Sequence, residues 1–476
     1  MLKLTPFCLA AVLLLQAPLA AAHAAPVSAA LDPAVAARID AIVAPYYKAG
    51  EPGATLIVTR DGKTLLRKAY GMADVAKGVR MQPGATMRLG SITKQFTSTA
   101  ILMLADEGKL VVSDPITKFL PDYPTHGKNI TIEHLLTHTS GIVSYTGKPN
   151  FEAQSQRDLT VAQMIDTFKD DPLEFEPGSR YAYNNSGYFL LGAIIEKVSG
   201  QTYASFVEQR IFAPLGMHHS AYEGLERQLS QRAAGHSKEK GNFEPSAPLS
   251  MSQPYAAGSL VSSVDDLARW DAAVSSGKLL KPASWALAFK PYTLADGKST
   301  NYGYGWGVGK LRGAKMISHG GGINGFSTYA LRIPEKNVYV ALLSNADGGL
   351  AQPSFVAKKA AAAAIGDPFP EMKAVKVEAS ALDSVAGVYK IDEKSNRTVR
   401  RNEDHLLMQR GERPAFALYP LGGDRFFAKD SLVSFRFARN PAGAVTDFVM
   451  EDDGMEIVQA RTGDLPPVQN AAGLHR

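Results

Sequence analysis

The sequence predicts an α+β domain that is followed by a smaller all-β domain. Strand-like runs lie near both ends of the first domain, and helical patterns occupy the region between them. This arrangement is typical of one antiparallel sheet that takes its strands from the two ends of a domain. Beyond residue 381 the chain changes to short alternating runs of apolar residues. The expected organisation is a leader over 1–24, a body over 31–365, a linker over 366–380 and a β-rich domain over 381–466.

The body begins with a helical pattern over Leu31–Tyr47, where apolar residues recur at helical spacing. Two strands, Ala54–Val58 and Thr64–Leu66, flank an Asp61-Gly62 pair that predicts a hairpin turn. The same periodicities predict the remaining elements. The expected helices are Ile92–Leu104, Val161–Phe168, Tyr188–Val198, Asp265–Val274 and Phe355–Ala364, and the expected strands are Lys315–Ser318, Thr328–Ile333 and Val338–Leu343.

The segment Gly366–Pro370 contains one glycine and two prolines, so we expect it to interrupt regular structure. Strand-like runs without a helical period follow it. They are Val388–Tyr389, Leu406–Gln409, Phe416–Tyr419, Arg425–Ala428, Val433–Phe437 and Val445–Met450. This pattern predicts a second domain made of short strands.

Composition excludes several classes of protein. The 476 residues are 45% hydrophobic and 20% charged, which is typical of a globular chain. The formal net charge of +5 comes without a run of basic residues and interleaved aromatic residues, so nucleic acid is not an expected partner. Cys8 is the single cysteine, which excludes an intramolecular disulfide and a cysteine-based zinc site. No metal or organic cofactor is expected.

The first residues have the pattern of a secretory signal peptide. Lys3 is followed by the apolar run Cys8–Leu15, and Ala22-His23-Ala24 provides the small residues at which a signal peptidase cleaves. The apolar run is too short to span a bilayer, and no later run reaches about 18 uncharged apolar residues. We therefore expect an exported protein, periplasmic or secreted, without a stable membrane span.

The candidate chemistry begins at Ser91-Ile92-Thr93-Lys94. A serine at the start of a helix and a lysine three residues later lie on one helix face, within reach of each other. A lysine with its ordinary pKa near ~10.4 is protonated and cannot take a proton from a serine hydroxyl, so its surroundings must lower that pKa. Alone, the motif more often reflects a serine that caps a helix beside an exposed lysine.

Two further motifs support a catalytic interpretation. Tyr183-Asn184-Asn185 precedes an apolar helix, where a phenol can act as a general base or acid and an amide can orient the lysine and the substrate. His319-Gly320-Gly321-Gly322 follows a strand, and a backbone without side chains at a strand edge can approach a substrate closely.

These motifs together resemble those of the serine hydrolases of the class C β-lactamase and D,D-peptidase type, a penicillin-binding-protein-like family. The resemblance covers about residues 53–345. It includes the segments Gly90–Lys94, Leu135–Gly141, Pro177–Gly178, Tyr183–Asn185, Pro214–Met217, Tyr304–Gly307 and His319–Gly321. The resemblance implies a β-lactamase/transpeptidase-like fold for the body. The C-terminal region resembles, by pattern and position, the lipocalin-like β domain that some of these hydrolases carry.

The resemblance also implies roles for individual residues. Ser91 would form an acyl-enzyme, while Lys94 and Tyr183 would move the proton, and the sequence leaves open which of the two is the base. The backbone N–H groups of Ser91 and Gly322 would hold the oxyanion, and Gly321 would belong to the same substrate-binding backbone.

Asn185 would bind the substrate's amide and hold Lys94. His319 stands where many relatives carry a lysine, and histidine offers a positive charge to a substrate carboxylate only when it is protonated. This departure makes β-lactam turnover a weaker expectation than peptidase or esterase activity.

Other motifs favour structural interpretations. Gly320–Gly325 fits the pattern of a dinucleotide-binding loop, but a strand pattern follows it instead of a helix. His134 and His138 are four residues apart without the glutamate of a zinc protease, so we expect His138 to pack against the following turn. Ser140 is expected in a turn or cap, and Tyr304 and Trp306 in the core or the cleft wall.

The sequence therefore predicts an exported serine hydrolase that cleaves an amide or ester, as a D,D-carboxypeptidase, a D-aminopeptidase or an esterase. Its partner would be a small-molecule or peptide substrate, including cell-wall peptide. Two alternatives stay open: a catalytically silent protein of the same fold that binds peptidoglycan or peptide, and a weak β-lactamase.

Overall fold

The computed structural model describes residues 33–224, 229, 231–392, 395–452 and 455–465. The leader expected over 1–24 lies outside these residues. No helix in the described ranges has the length and apolar character needed to cross a membrane. The helices are α1 (Pro33–Val43), α2 (Thr93–Asp106), α3 (Ile132–Leu136), α4 (Phe151–Gln154), α5 (Val161–Asp166), α6 (Asn185–Ser199), α7 (Tyr203–Val207), α8 (Ala213–Leu215), α9 (Val264–Ser275), α10 (Pro282–Ala288), α11 (Pro353–Ala364) and α12 (Ala379–Val385).

The strands alternate with these helices in the body and dominate the C-terminal region. In the body they are β1 (Ala54–Arg60), β2 (Lys63–Tyr70), β3 (Met72–Asp74), β4 (Val79–Arg80), β5 (Met87–Arg88), β6 (Ala221–Tyr222), β7 (His236–Glu239), β8 (Asn242–Pro245), β9 (Leu260–Ser262), β10 (Gly307–Leu311), β11 (Ala314–Ile323), β12 (Phe326–Ile333) and β13 (Val338–Ser344). The C-terminal strands are β14 (Gly387–Lys390), β15 (Asn396–Asn402), β16 (His405–Arg410), β17 (Phe416–Gly422), β18 (Arg425–Phe427), β19 (Ser434–Arg439), β20 (Val445–Asp452) and β21 (Met455–Gly463).

The main sheet has six strands in the order β10-β11-β12-β13-β1-β2, and neighbouring strands are antiparallel. β1 and β2 come from the start of the body and the other four come from its end. This confirms the predicted α+β architecture, in which the two ends of the domain share one sheet. The pairing of β1 with β13 joins the two groups over seven residue pairs, from Ala54 opposite Ser344 to Arg60 opposite Val338.

Successive side chains along a strand point to opposite faces of the sheet, and they contribute to two hydrophobic cores, one on each face. Leu56 and Val58 of β1 pack with α1 and α11 on one face, while Ile57 belongs to a larger core on the other. That larger core includes α2, α6 and α9. Nearly every residue of α2 is buried, because α2 runs through the middle of this core. The turn that carries Ser91, immediately before α2, lies against β11, and Lys94 lies in the first turn of α2.

One buried amide links distant segments of the body. Oδ1 of Asn345 accepts the N–H of Gly53 at 2.7 Å. Its Nδ2 lies within hydrogen-bond distance of the carbonyl oxygens of Met72, Ala73 and Ala234, the shortest at 2.8 Å. Asn345 thus connects the end of β13 to the N-terminal strands and to the segment before β7.

The C-terminal strands β14–β21 close into an eight-stranded antiparallel barrel, which confirms the predicted all-β character of this region. Six of the eight strands were expected from the sequence, and β15 and β21 were not. Helix α12 was also not expected from the sequence, and it begins within the segment expected to be a linker. The barrel has its own core, in which Tyr389, Leu406 and Phe448 are completely buried.

Candidate active site

Ser91 lies in a 3-10 turn over Gly90–Ile92, immediately before α2. Gly90 has a φ of +54°, and a Cβ on it would come within 3.0 Å of the backbone nitrogen of Gly322. A Cβ on Gly321 would lie 2.0 Å from the carbonyl oxygen of Leu89. Glycine at both positions is what allows the Ser91 turn to lie directly against β11.

Lys94 reaches back from α2 to Ser91 and is completely buried. Its Nζ lies 3.1 Å from Oγ of Ser91, 2.8 Å from Oδ1 of Asn185 and 2.9 Å from the carbonyl oxygen of Ala257. The structure therefore brings the predicted serine, lysine and asparagine into one cluster. Ala257, which completes the surroundings of Lys94, was missed because a backbone carbonyl leaves no signal in the sequence.

Burial lowers the pKa of Lys94 well below its ordinary value, so the neutral amine is favoured. A neutral amine has two N–H bonds and one lone pair. Both carbonyl oxygens around Nζ are acceptors only, so they use the two N–H groups. The lone pair is then left for the hydroxyl hydrogen of Ser91, which is the geometry of a general base beside its nucleophile.

Tyr183 covers the other side of Lys94. Nζ of Lys94 lies 4.8 Å from the centre of the Tyr183 ring. Desolvation raises the pKa of the Tyr183 phenol, and a hydrogen-bonding interaction with Ser91 works in the opposite direction. Because 41% of the residue remains exposed, we expect solvent to limit this rise. Tyr183 is thus a protonated phenol at the mouth of the cluster, beside the nucleophile.

The two asparagines after Tyr183 have different functions. Oδ1 of Asn184 accepts the N–H of Gly187 at 2.8 Å and caps the N-terminus of α6. Asn185 faces Lys94 instead, and its Nδ2 donates to Oγ1 of Thr146 at 3.1 Å. The loop that carries Ser144 and Thr146 therefore fixes the amide that holds Lys94.

His138 lies beneath this loop and is completely buried. Its carbonyl oxygen accepts the N–H of Ala182 at 2.9 Å, and its Nδ1 accepts the N–H of Asn184 at 3.0 Å. Its ring centre is 4.2 Å from that of Tyr183. His138 was expected to pack against the following turn, and this expectation is incomplete. His138 also hydrogen-bonds to the backbone on both sides of Tyr183.

The imidazole of His138 is neutral. Desolvation, with Lys94 and His319 nearby, lowers its pKa well below the ordinary value. Since Nδ1 is an acceptor, Nε2 carries the hydrogen, and it has no hydrogen-bond partner among the described residues. His138 has a φ of +59°, a left-handed conformation that is uncommon for residues other than glycine. The motif Leu135–Gly141 marked this region in the sequence. The contact of His138 with Tyr183 could be seen only in the folded structure.

His319 lies on β11, next to Tyr183 and Lys94. Its Nδ1 donates to the carbonyl oxygen of Gly320 at 2.6 Å, so its Nε2 accepts from the Tyr302 hydroxyl at 2.8 Å. Desolvation is the largest cause that lowers the pKa of His319 to about 3. His319 is therefore neutral and already hydrogen-bonded through both nitrogens. The sequence analysis did not identify Tyr302.

Gly322 and Ser91 line the same cavity, which has a volume of about 120 Å³. A Cβ on Gly322 would meet nothing within 4 Å, so the space beside this residue is open. The remaining lining comes from Asn185, a backbone turn at Ala257–Gly258, and the side chains of Tyr145, Phe151 and Leu249 among others. A substrate in this cavity would contact both the nucleophile and the backbone of β11.

Other features lie outside the cluster. A cleft of about 850 Å³, lined by β1, β12 and α9, contains none of the predicted site residues. Tyr304 and Trp306 are buried in the core, and Ser140 is buried with its Oγ accepting the N–H of Ile142. Nδ1 of His134 accepts the N–H of Thr131 at the start of α3. In the described part of the chain, no group of three histidine, cysteine or acidic residues is arranged to hold a metal.

Comparison with known proteins agrees with this geometry. The family model "Beta-lactamase" matches residues 35–365. Penicillin-binding protein 4* of Bacillus subtilis (strain 168) is 27% identical over 435 residues, which are 86% of this chain and 94% of that protein.

Two solved structures are also similar. The octameric penicillin-binding protein homologue from Pyrococcus abyssi has a TM-score of 0.64 and 27% identity, over 90% of this chain and 98% of that one. A D-stereospecific amidohydrolase from Streptomyces sp. has a TM-score of 0.58 and 28% identity, over 66% of this chain and 94% of that one. The family match covers well over half of the sequence, so the chain belongs to the beta-lactamase family, a family of serine hydrolases.

Proposed function

We propose that this protein is an exported serine hydrolase that cleaves an amide or ester of a D-amino acid through an acyl-enzyme on Ser91. The observation that carries the proposal is the arrangement around Nζ of Lys94. Two carbonyl acceptors occupy its N–H groups, and its remaining lone pair points to the Ser91 hydroxyl. A protein that only bound peptides would gain nothing from burying a neutral lysine beside a serine.

Acylation begins when Ser91 Oγ attacks the carbonyl carbon of the substrate and Lys94 takes the hydroxyl proton. The carbonyl oxygen becomes an oxyanion, which the backbone N–H groups of Ser91 and Gly322 would stabilise. The role of Gly322 is supported by the cavity that it shares with Ser91 and by the open space beside it.

The proton then goes to the leaving group. Tyr183 lies beside both Ser91 and Lys94, so its hydroxyl can donate a proton to the departing amine or alcohol and recover one from Lys94. The raised pKa of the phenol favours its protonated form, as a donor requires. Lys94 returns to the neutral state and can deprotonate the water that hydrolyses the acyl-enzyme, which releases the acid and restores Ser91.

The substrate class follows from His319. A D,D-carboxypeptidase or β-lactamase substrate carries a carboxylate, which a cation at this position would bind. Neutral His319, with both nitrogens occupied, supplies none. This favours D-amino acid amides, D-aminopeptidase substrates or small esters, and the similarity to a D-stereospecific amidohydrolase supports the same class.

The test compares hydrolysis of D-phenylalaninamide, L-phenylalaninamide, p-nitrophenyl acetate and a chromogenic cephalosporin by the wild-type protein and two serine variants. We expect turnover of the D-amide or the ester in preference to the cephalosporin, and its loss in Ser91→Ala. Ser140→Ala is the matched control and should retain turnover, because the Ser140 hydroxyl accepts the N–H of Ile142, whereas Nζ of Lys94 contacts Ser91, Asn185 and Ala257. Turnover by folded Ser91→Ala, or none by the wild type on any of the four, would contradict the proposal.

A further inference from the structure

The C-terminal barrel contains a charged residue among its inward-facing side chains. Arg397 lies on β15 and is only 7% exposed. It is in register with Arg410 of β16, two residue pairs away from the inward-facing pair of Val399 and Met408, both of which are in the barrel core. The sheet pattern thus places the Arg397 side chain on the inner face of the barrel, near one end.

The Arg397 guanidinium lies against an aromatic ring and a thioether sulfur. Its guanidinium lies 5.0 Å from the centre of the Phe448 ring, and its Nη1 donates to Sδ of Met450. Its Nε makes no hydrogen bond, and it forms no ion pair with a carboxylate in the part of the chain that the structure describes. Desolvation and the neighbouring Arg410 lower the pKa of Arg397 to about 10, so it remains charged at neutral pH. A buried charge without a partner is costly to the fold.

A buried acceptor lies beside this unpaired donor. Gln459 of β21 is 5% exposed, and its Oε1 has no donor among the described residues. It is directly opposite Phe448 in the pairing of β20 with β21, and Arg397 lies over the same Phe448 ring. The unpaired Nε of Arg397 and the unpaired Oε1 of Gln459 therefore belong to two residues that both neighbour Phe448.

This end of the barrel is open to solvent and has an apolar rim. Phe416 is in register with inward-facing Met408, and Ile457 is in register with Met450. Both nevertheless remain exposed, at 43% and 56%. Exposed apolar side chains at one end of a barrel offer a surface that the apolar part of a ligand can cover.

We propose that this end of the barrel binds an N-acylated apolar amino acid. Its carboxylate would pair with the Arg397 guanidinium, and the adjacent amide N–H would donate to Oε1 of Gln459. Its apolar parts would cover Phe416 and Ile457. A carboxylate matches the planar donor set of arginine, and a neighbouring N–H supplies the one donor that Gln459 lacks. The site is separate from the Ser91 cluster.

The test measures binding of N-octanoyl-leucine to the full chain by calorimetry, in a Ser91→Ala background that prevents turnover. We expect saturable binding that weakens at least about tenfold in Arg397→Met, since a charge-assisted hydrogen bond is lost. Arg401→Met is the matched control, because Arg401 lies on the same strand but pairs with Asp383. It should bind like the parent.

Two further probes separate the contacts. N-octanoyl-leucinamide, which lacks the carboxylate, should bind at least about tenfold more weakly than the acid. Octanoate, which lacks the N–H, should also bind more weakly, and equal binding of octanoate would contradict the contact with Gln459. Absence of saturable binding of the acid, or equal binding by Arg397→Met, would overturn the proposal.

Thermal unfolding without ligand distinguishes a binding group from a structural one. If Arg397 serves a ligand, Arg397→Met removes an uncompensated buried charge and the Tm stays equal or rises. If the guanidinium instead holds the barrel together, the Tm falls below that of Arg401→Met, and the proposal is wrong.

Discussion

Nζ of Lys94 donates a hydrogen bond to the carbonyl oxygen of Ala257 at 2.9 Å, although the two residues are 163 positions apart. This contact occupies one N–H group of the amine, and Asn185 occupies the other. Both bonds therefore aim the lone pair of Lys94 at Ser91. In the proposed mechanism, the activation of Ser91 thus depends on a backbone carbonyl from a distant turn as well as on the Ser-x-x-Lys spacing.

The close approach of β11 to the Ser91 turn predicts opposite outcomes for two adjacent glycines. A Cβ on Gly321 would lie 2.0 Å from the Leu89 carbonyl oxygen and 2.3 Å from Oγ1 of Thr328, so Gly321→Ala must push β11 away from the turn. We expect a lower Tm and at least about a hundredfold loss of kcat/KM, because misplacing a catalytic group by about 1 Å has effects of that size.

Gly322→Ala is the control for this prediction. Its Cβ would contact nothing within 4 Å, so its Tm should equal that of the wild type. Thermal denaturation of both variants, with hydrolysis assays on the same preparations, provides the measurement. A Gly321→Ala protein with the wild-type Tm would show that the turn and β11 are not in close contact.

His138 is expected to act as a positioning residue for Tyr183. His138→Val removes the acceptor for the Asn184 N–H and places a β-branched residue at a φ of +59°. We expect kcat to fall by about a hundredfold and stability by about 1–3 kcal/mol. His138→Asn, which tolerates this backbone conformation and offers a side-chain acceptor, should recover part of kcat.

Measuring kcat and KM separately gives the decisive comparison for His138. If both variants lose stability but keep the wild-type kcat, His138 supports the fold alone and has no influence on Tyr183.

The low pKa of His319 predicts a specific pH dependence of stability. Burial lowers this pKa from 6.5 to about 3. Between these values the unfolded chain binds a proton that the folded chain does not. His319 therefore decreases stability as the pH falls below 6.5, by up to about 1.4 kcal/mol per pH unit, and contributes nothing above it.

Urea denaturation of the wild type and His319→Gln between pH 4 and 8 would measure this effect. The variant should lose stability less steeply than the wild type below pH 6.5. Identical slopes would mean that His319 is protonated in the folded protein, which would restore a cation for a substrate carboxylate.

Asn345 predicts a large effect on stability far from the nucleophile. Asn345→Ala leaves the Gly53 N–H and the carbonyl oxygens around Nδ2 without their partner in a buried position. We expect a loss of about 3 kcal/mol or more in the free energy of unfolding. Exposed Asn242 on β8 provides the control, and Asn242→Ala should change this free energy by less than about 0.5 kcal/mol. Similar values for the two variants would contradict the role of Asn345.

The sequence predicted the elements whose periodicity is strong. β1, β13 and α9 end within two residues of their predicted bounds, because β1 and β13 are largely continuous apolar runs and α9 repeats at helical spacing. β15 and β21 were missed since they carry charged residues such as Arg397, Arg400 and Arg461, which hide the alternation. Barrel closure and the pairing of β1 with β13 depend on contacts between distant segments and leave no local pattern.

For the candidate site, the sequence predicted those residues that belong to motifs. Ser91, Lys94, Asn185 and His319 were named from spacing and resemblance, and the structure places them together. Ala257 and Tyr302 were not named, because a carbonyl acceptor and a core-like tyrosine become visible only when the loops that carry them pack on α2 and β11. His138 was noticed as a possible ligand, but its actual contact lies 46 positions away at Asn184.

We propose that buried, neutral Lys94 activates Ser91. Intact-protein mass spectrometry after exposure to a fluorophosphonate tests it most directly, with the wild type, Ser91→Ala and Lys94→Arg compared as folded proteins. We predict one covalent adduct on the wild type and none on Ser91→Ala. Lys94→Arg should react at least about a hundredfold more slowly, because arginine stays charged and cannot accept the serine proton. An adduct on Ser91→Ala, or equal reactivity of Lys94→Arg, would contradict the account.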